Sequence, residues 1–587
     1  MPPGAARGQS PKADASIRIV SRNSSGEPAI APLDVVAICL TPLLVLLQGH
    51  RFGVGNHEFL LASMRRAQDP TYLVNDWFLS TPAHHPLLVA ILAPLSGSVG
   101  EPAALLGVHL ATRLLLLAGV WRLAMALVGG NAWVAVAAMV ATFFEPRLRI
   151  GSHYLQGGHW EPAFLGMACA VWIVLLAMRF AGGRRGAWLP LVLVGGGGIA
   201  AHLFICLPVF GIAVVAAALV RRDFAIPAGV VAAGLFLGSP SLFPAIKGFF
   251  LPGDSPLSAR EVILVLQYRH PHHHQPWTWP ASHYVQAALV LVAGALSLWR
   301  ITPAGERRLL VVPGALIVYA VASSALFALC AALRVLPIVA YIQCFRLIPL
   351  AMAIAAIGML GALWRTLGGR GIAFFSLAAL AGAVLFRLAG VFGPGLVSIA
   401  ALALAWRPLP ASIAPLALST RRWPILAMGA ASLAVIVALQ ASAPLRDRIN
   451  AIRGSHWLAT AEPTDPVRAR LAEWIRANTP RQAIISIPAT MEGFHIWEQR
   501  AVVVDLKNVP YRNAGLAEWS TRIALATGDN PMRPGATPST TDPDPEFLIQ
   551  LAGRYRASYV VLRGKIAHSR DVYPWDDYTV IEAVNGR

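Results

Sequence analysis

NHEFLLASMRRAQDPTYLVND, residues 56–76, is a dense polar segment that follows directly after the first long apolar run of the chain. Its acids are Glu58, Asp69 and Asp76, and two arginines lie among them. Charged groups are costly in lipid, so such a segment beside an apolar span is either a solvated loop or the floor of an active site. We interpret it as an active-site floor, with the rest of the chain as the scaffold around it.

The composition indicates a polytopic helical membrane protein. Of the 587 residues, 56% are hydrophobic and only 13% are charged, whereas a soluble domain carries about 25% charged residues. Repeated apolar runs of roughly 16–25 residues predict helices that cross the bilayer, because lipid-exposed backbone must be hydrogen-bonded internally. The runs lack the alternation that is typical of barrel strands.

The net charge of +19 does not indicate nucleic-acid binding. Much of the arginine excess lies in short loops between apolar runs, where the positive-inside rule puts it on the cytoplasmic side. The five cysteines all fall within predicted spans and lack the spacing of a metal site, so we expect buried thiols and no disulfide.

The apolar runs predict about 13 transmembrane helices between residues 33 and 441. The polar residues 1–32 form a disordered cytoplasmic tail in this prediction, and residues 442–587 form a separate extracytoplasmic domain. The predicted spans are 33–48, 102–127, 131–144, 163–180, 187–199, 201–220, 223–239, 283–299, 309–330, 338–363, 371–388, 391–406 and 424–441.

This topology places three polar loops, 49–101, 145–162 and 240–282, outside the cytoplasm. The loops on the other side carry the arginines, as the positive-inside rule requires. These are Arg179, Arg184, Arg185, Arg221, Arg222, Arg300, Arg307, Arg308, Arg365, Arg370, Arg407, Arg421 and Arg422. The protein is therefore expected in a bacterial inner membrane, with its N-terminus in the cytoplasm.

Three local features of the membrane part carry specific expectations. Residues 57–67 predict an amphipathic helix on the membrane surface, with Phe59, Leu60 and Met64 towards the lipid. The run Gly195–Gly198 is expected to break or kink a helix near the middle of the bilayer. The apolar stretch 86–96 is too short to span.

The C-terminal part predicts a small α/β domain, because helical and strand patterns alternate. The predicted helices are 465–480, 514–528 and 546–557, and the predicted strands are 482–488, 501–505 and 558–564. No glycine-rich phosphate loop follows any strand, which argues against a nucleotide site. Charged residues around two of the strands are interpreted as a solvated rim; they are Glu492, His495, Glu498, Arg500, Asp505 and Lys507.

The three outer loops combine acids, arginines and histidines, which suits transfer of a sugar from a lipid phosphate. Breaking a glycosyl–phosphate bond requires cations on the departing phosphate, and arginine binds it through its bidentate fork. The acceptor hydroxyl requires a carboxylate that takes its proton. The adjacent histidines of the third loop cannot all face one ion, so we predict no metal site there.

The layout resembles the C-type (GT-C fold) superfamily of membrane glycosyltransferases. Those enzymes place an acid in the first external loop and further acids in the second, use polyprenyl-phosphate sugars and often append an extracytoplasmic domain. Here Glu58 stands at the position of the first acid, and Glu145, followed by Arg147, at that of the second-loop acid. Many members have a paired Asp in the first loop, whereas this chain has a lone Glu58, with Asp76 further on. The resemblance therefore implies that either Glu58 or Asp76 is the catalytic base.

The predicted function is transfer of a sugar from a polyprenyl-phosphate carrier to a glycan, lipid or protein hydroxyl on the extracytoplasmic face. Arg346 joins the candidates because a charge inside a span is usually functional. The predicted substrate-binding residues are His57, Glu145, Arg147, His159, Glu161, Arg269, His270, His272, His273 and Arg346. No soluble cofactor is implied, and no residue pattern indicates a divalent metal. The alternatives are a transporter or lipid flippase, and a non-catalytic membrane scaffold.

Overall fold

The computed structural model describes residues 50–142, 159–249, 257–366, 465–510, 513–539, 542–564, 571–574 and 577–583. Four predicted spans (33–48, 371–388, 391–406 and 424–441) lie outside the described residues, as do Glu145 and Arg147.

Helices make up the described membrane part. They are α1 (His57–Gln68), α2 (Pro86–Val99), α3 (Glu101–Leu127), α4 (Ala132–Ala141), α5 (Pro162–Ala181), α6 (Trp188–Ala201), α7 (Leu203–Arg221), α8 (Ala225–Leu237), α9 (Ser239–Phe249), α10 (Ala259–Arg269), α11 (Pro271–His274), α12 (Ala281–Ile301), α13 (Val311–Leu333), α14 (Pro337–Ile342) and α15 (Ile348–Thr366). A 3-10 turn, Cys344–Leu347, joins α14 to α15.

Six helical segments of the described part are long and apolar enough to cross a membrane, and α8 with α9 counts as a seventh if that pair, bent by 77°, is one span. The six are Glu101–Leu127, Pro162–Ala181, Leu203–Arg221, Ala281–Ile301, Ala304–Leu333 and Pro337–Thr366. They confirm a multi-pass membrane protein. The predicted spans 131–144 and 187–199 correspond to shorter helices of 10 and 14 residues, and the total of 13 stays a prediction.

The glycine run lies inside α6, which continues without a break from Trp188 to Ala201. The expected break at Gly195–Gly198 is therefore wrong, and a kink within the continuous helix stays a prediction. A Cβ atom on Gly195 would overlap the ring of Phe210 on α7, and one on Gly196 would meet Leu237 on α8. The run serves close helix packing, in which small residues let neighbouring backbones approach each other.

Helix α1 confirms the predicted helix but not its expected place on the lipid surface. Leu60 and Met64 are at most 1% exposed and pack within the protein, in a cluster with Leu88 of α2 and Trp497 of the C-terminal domain. An apolar helix face has the same spacing whether it meets lipid or protein, so the sequence pattern does not distinguish the two.

The C-terminal part is the predicted α/β domain. Its helices are α16 (Pro466–Asn478), α17 (Phe494–Trp497), α18 (Asn513–Thr527) and α19 (Pro545–Tyr555), and its strands are β1 (Ile484–Ser486), β2 (Ala501–Val502), β3 (Tyr559–Arg563), β4 (Asp571–Pro574) and β5 (Tyr578–Glu582). The strand order is β2-β1-β3-β5-β4, with β1 parallel to β2 and β3, and β5 antiparallel to β3 and β4. The sequence patterns did not predict α17, β4 or β5.

Local sequence sets where the helices of this domain begin. Asp465 and Asp544 each accept a hydrogen bond from a backbone N–H of the first helical turn, and each is followed by proline at the first helical position. Proline fits there because its missing N–H would have no partner inside the helix.

The domain lies against the loop 49–101, which keeps its predicted name, the first external loop, below. The Trp497 indole packs edge-on to Phe52, with ring centroids 6.1 Å apart. It also covers Gly53, whose φ of +71° lies in the left-handed region. A Cβ atom on Gly53 would overlap this indole, so only glycine fits at this contact.

Gly53→Ala is expected to weaken this contact by about 2–5 kcal/mol, the sum of left-handed strain and overpacking. Gly183→Ala is the matched control, because Gly183 also has a positive φ (+83°) but has no heavy atom near an added Cβ. It should cost only the strain, about 1–2 kcal/mol. Thermal unfolding of both variants in detergent micelles measures the difference, and equal losses would contradict the packing role of Gly53.

Candidate active site

The first external loop and the C-terminal domain meet in a buried polar cluster. Glu58, in the first turn of α1, is 2% exposed, and its Oε1 accepts a hydrogen bond of 3.1 Å from the Asn508 amide. His495 and Asp505 lie on the other side, with His495 Nδ1 3.7 Å from the same Glu58 oxygen. Burial raises the pKa of Glu58 above its ordinary value, and the charge of Asp505 raises it further.

Asp76 is locked into the same interface and is 1% exposed. Its Oδ2 accepts hydrogen bonds from His495 Nε2 at 2.8 Å and from the Val502 N–H at 3.1 Å, and its Oδ1 accepts one from the Leu79 N–H. Burial alone would raise the pKa of Asp76, but His495 and the two N–H groups outweigh it and lower the pKa. Burial opposes a charged imidazole, yet Asp76 and Glu58 raise the pKa of His495 well above its ordinary value.

Further contacts fix the segment that carries His495. Arg65 of α1 forms a bidentate ion pair with Glu101, at 2.7 Å for each bond, and donates another hydrogen bond to the Ile496 carbonyl. Within the domain, the Glu498 side chain is fully buried and binds Arg468 of α16. The expected solvated rim is therefore wrong for His495, Glu498 and Asp505, each at most 1% exposed.

A second group of polar side chains combines residues at the N-terminal ends of membrane-part helices with Lys507 of the C-terminal domain. We call Glu161, Arg346, Lys507, His85 and His202 the basic cluster. Arg346 Nη1 is 3.4 Å from His202 Nε2, and the rings of His202 and His85 are 5.5 Å apart. Glu161 receives a 2.7 Å hydrogen bond from His159.

The charges of the basic cluster act on Glu161. Burial alone would raise the pKa of Glu161, but the hydrogen bond from His159 and the charges of Lys507 and Arg346 outweigh burial and lower this pKa. The Glu161 side chain is 21% exposed, whereas Glu58 and Asp76 are buried. Among these three acids it is therefore the ionised carboxylate that a substrate can reach.

Two histidines of this region, His85 and His274, carry little charge near neutral pH. Burial lowers the pKa of His85 to about 4, with a contribution from Arg346. It lowers the pKa of His274 to about 3, assisted by the charges of Arg269 and Arg346. These two neutral imidazoles serve as hydrogen-bonding groups, while His159, Lys507 and Arg346 supply the positive charge that lowers the pKa of Glu161.

Arg269 positions Lys507. Its guanidinium donates hydrogen bonds to the backbone carbonyls of Leu506 at 3.5 Å and Lys507 at 2.7 Å. The short helix α11 follows directly and carries His272, which is exposed, and His273, whose ring stacks on Phe345 at 6.3 Å.

Irregular backbone precedes the turn that carries Arg346. Leu336 and Gln343, at the two ends of α14, have φ of +50° and +51°, which is costly for residues with a side chain. Irregular backbone beside a membrane span is tolerated where it lines a cavity or is buried in protein. Strained residues of this kind are often found at functional sites.

Three helices begin at the basic cluster. Glu161 directly precedes α5, His202 precedes α7, and the turn with Arg346 precedes α15. Helix N-termini carry partial positive charge and favour anions. The other ends of these helices carry arginines: Arg179, Arg221 and Arg365.

The predicted site residues thus divide into groups. Glu58 and Asp76 lie in the buried interface, and His57 is fully buried, where its Nδ1 accepts a 3.1 Å hydrogen bond from the Gly53 N–H. The residues near or in the basic cluster are His159, Glu161, Arg269, His270, His272 and Arg346. The sequence did not single out His85, His202, Asn508 or the position of Lys507, since a charged residue after a strand is usually solvated.

A family profile described as "Domain of unknown function (DUF6798)" matches residues 469–526. This range contains His495, Asp505, Lys507 and Asn508. No curated protein matches the chain. The chain is similar to one solved structure, described as "Crystal Structure of ArnT from Cupriavidus metallidurans in the apo state", with 13% identity and a TM-score of 0.40 over 94% of this chain and 98% of the other.

Asp76→Asn is expected to destabilise the docked structure by about 3–5 kcal/mol, because it leaves a buried imidazole without its charged partner. The matched control is Asp69→Asn. Asp69 lies in the same loop and pairs with Arg481 of the same domain at 2.6 Å, but both side chains are exposed. Since exposed ion pairs contribute little, the control should unfold close to the wild-type temperature in detergent. Equal destabilisation of the two variants would contradict the assigned role of Asp76.

Proposed function

We propose that this protein is an integral-membrane glycosyltransferase that takes a sugar from a polyprenyl-phosphate carrier and transfers it to a hydroxyl of a glycan, lipid or protein on the extracytoplasmic face. The observation that carries the proposal is the basic cluster, in which the charges of Arg346, at the start of an apolar span, and Lys507, from the C-terminal domain, act on one ionised, accessible carboxylate. The phosphate of a lipid carrier lies at the membrane surface, where the ends of the apolar spans are expected.

Arg346 and Lys507 bind the phosphate of the donor in this proposal. When the glycosyl–oxygen bond breaks, its electron pair goes to the phosphate oxygen, and negative charge grows there. Fixed cations stabilise that charge without reorganisation during the reaction. The N-termini of α5, α7 and α15 add their partial positive charge.

Glu161 takes the proton of the acceptor hydroxyl as its oxygen attacks the anomeric carbon. This task requires an ionised carboxylate that the acceptor can reach. The lowered pKa and partial exposure of Glu161 satisfy both requirements. Glu58 and Asp76, the bases implied by the family resemblance, are both sealed from solvent. We therefore propose that they hold the two parts of the protein together rather than act on the substrate.

The orientation follows the charge distribution. The cytoplasmic side is proposed for the span ends that carry Arg179, Arg221 and Arg365, in keeping with the positive-inside rule. The basic cluster and the C-terminal domain then lie on the extracytoplasmic side of the bacterial inner membrane.

Transport of a lipid-linked sugar is the second candidate, because α3 contains buried polar side chains. His109 and Arg113 are at most 2% exposed, and Arg113 Nε is 3.1 Å from His109 Nε2. His109 Nδ1 is in turn 2.8 Å from His50 Nδ1. Transport predicts movement of a labelled lipid-linked sugar across vesicles without transfer to an acceptor.

Glu161→Gln should reduce kcat for transfer by about 10²–10⁴-fold, the usual contribution of a general base. The assay uses purified protein in proteoliposomes with a panel of radiolabelled polyprenyl-phosphate hexoses and pentoses. Glu492→Gln, an exposed glutamate of the C-terminal domain, is the control and should retain wild-type kcat. If Glu58→Gln, folded to the wild-type level, lost transfer while Glu161→Gln kept it, the base would be Glu58. Lipid movement without transfer in the wild type would favour a transporter.

Lys507→Ala and Arg346→Gln should each lower kcat/KM by about 10–150-fold, the effect of losing a hydrogen bond to a charged group. They should also weaken inhibition by free polyprenyl phosphate. Arg481→Ala, which removes an exposed cation of the same domain, should change neither. If free polyprenyl phosphate inhibited Lys507→Ala and Arg346→Gln as strongly as the wild type, the basic cluster would not bind the phosphate.

A further inference from the structure

Four buried side chains converge where the first external loop meets the C-terminal domain. Facing atoms of Glu58, His495 and Asp505 lie within 4.8 Å of one another, with His495 Nδ1 3.7 Å from Glu58 Oε1 and 3.8 Å from Asp505 Oδ2. The Asn508 amide nitrogen lies 2.9–3.1 Å from all three atoms. None of the four residues is more than 3% exposed.

These separations suit a tetrahedral metal ion. Two ligands at about 2.1 Å from a tetrahedral zinc lie about 3.4 Å apart. The observed 3.7 and 3.8 Å are close to that value. The Asn508 amide, beyond the plane of the other three atoms, stands where a fourth ligand belongs.

Hydrogen bonds to residues outside the cluster orient His495 and Asp505, so that one atom of each side chain faces the proposed metal position. His495 gives its other ring nitrogen to Asp76 at 2.8 Å, the arrangement in which a carboxylate orients a metal-binding histidine. Asp505 Oδ1 accepts the backbone N–H groups of Lys507 at 2.7 Å and Asn508 at 2.6 Å, which leaves Oδ2 facing the cluster.

The cluster is short of donors and rich in negative charge. The Asn508 amide nitrogen has two hydrogens but lies within 3.1 Å of three side-chain atoms, while Asn508 Oδ1 is buried without a hydrogen-bond partner. Glu58, Asp76 and Asp505 bring three carboxylates to a single imidazole. Such groups are costly to bury unless a cation or a proton balances them. A half-turn of the Asn508 amide would direct its unpartnered oxygen at the same centre.

We propose that Glu58, His495, Asp505 and Asn508 Oδ1 bind a structural divalent metal, with zinc as the fitting ion, that fastens the C-terminal domain to the first external loop. The ligand set is closed, as in structural zinc sites. One ligand comes from the loop and three come from the domain, so the ion crosslinks segments that lie about 440 residues apart in sequence. The site is separate from the basic cluster and does not depend on the proposed function.

The test is the metal content and thermal stability of the full-length protein in detergent, with zinc as the probe. Elemental analysis should find about one zinc per wild-type chain after dialysis against metal-free buffer. Glu58→Gln and Asp505→Asn should each lose the metal, whereas Glu492→Gln, at an exposed glutamate of the domain, should keep it. A strong chelator should lower the unfolding temperature of the wild type and leave that of Asp505→Asn unchanged.

Asn508→Asp separates a metal site from a purely hydrogen-bonded cluster. If a metal is bound, the new carboxylate oxygen can replace the amide oxygen as ligand, so added zinc should restore the unfolding temperature and one zinc per chain. Without a metal, the substitution adds a buried carboxylate and removes a donor, which destabilises the protein at every zinc concentration. Cobalt substitution should give the visible absorption of a tetrahedral ion. Absence of bound metal in the wild type, with no effect of zinc on Asn508→Asp, would overturn the proposal.

Discussion

The buried hydrogen bond between His495 and Asp76 is the interaction on which the rest of the arrangement depends. It joins residues that are 419 positions apart and fixes the C-terminal domain against the first external loop. The same domain segment continues to Lys507, which the carbonyl contacts of Arg269 hold beside Glu161. The hydrogen bond between His495 and Asp76 lies outside the basic cluster, but it helps to determine that Lys507 is part of that cluster.

The acids of the two loops differ in exposure and in pKa because their surroundings differ, more than because of their residue type. Asp69 and Asp76 both face the C-terminal domain, but Asp69 is solvated while Asp76 is sealed by an imidazole and two backbone N–H groups. Glu58 is buried among other carboxylates, which favours its protonated form. Glu161 lies among cations and stays ionised. Carboxylates with such different surroundings can serve different chemical roles in one protein.

The features that the sequence predicted are those set by neighbouring residues. Hydropathy over about 20 residues located the long spans, and sequence patterns located α16, α18 and α19 and three of the strands of the C-terminal domain. Arg346 could be named because a charge inside a span is uncommon, and Glu161 because its loop combines acids with arginines and histidines. The features that it missed depend on distant partners. The apolar face of α1 fits lipid or protein equally well, and the glycine run suits either a kink or close packing.

The roles of Lys507 and Asn508 in the candidate site also depend on residues that are distant in sequence. In sequence they are polar residues after a short strand, a position that is usually solvated. Only the register of the domain on the first loop turns Asn508 towards Glu58 and brings the charge of Lys507 near enough to lower the pKa of Glu161.

Two kinds of contact at this interface have different effects. The apolar contacts around Trp497 bring the loop and the domain together, but apolar packing is largely non-directional and tolerates small shifts. The buried polar groups tolerate none, because each displaced donor or acceptor would be left without a partner at a cost of about 1–3 kcal/mol. The apolar contacts therefore bring the loop and the domain together, and the polar cluster fixes their relative position.

Since Lys507 comes from the domain while Glu161 and Arg346 come from the membrane part, neither part alone contains the complete basic cluster. A chemical function that uses these three residues is then a property of the docked pair, and any change that shifts the register should alter that function before it unfolds either part.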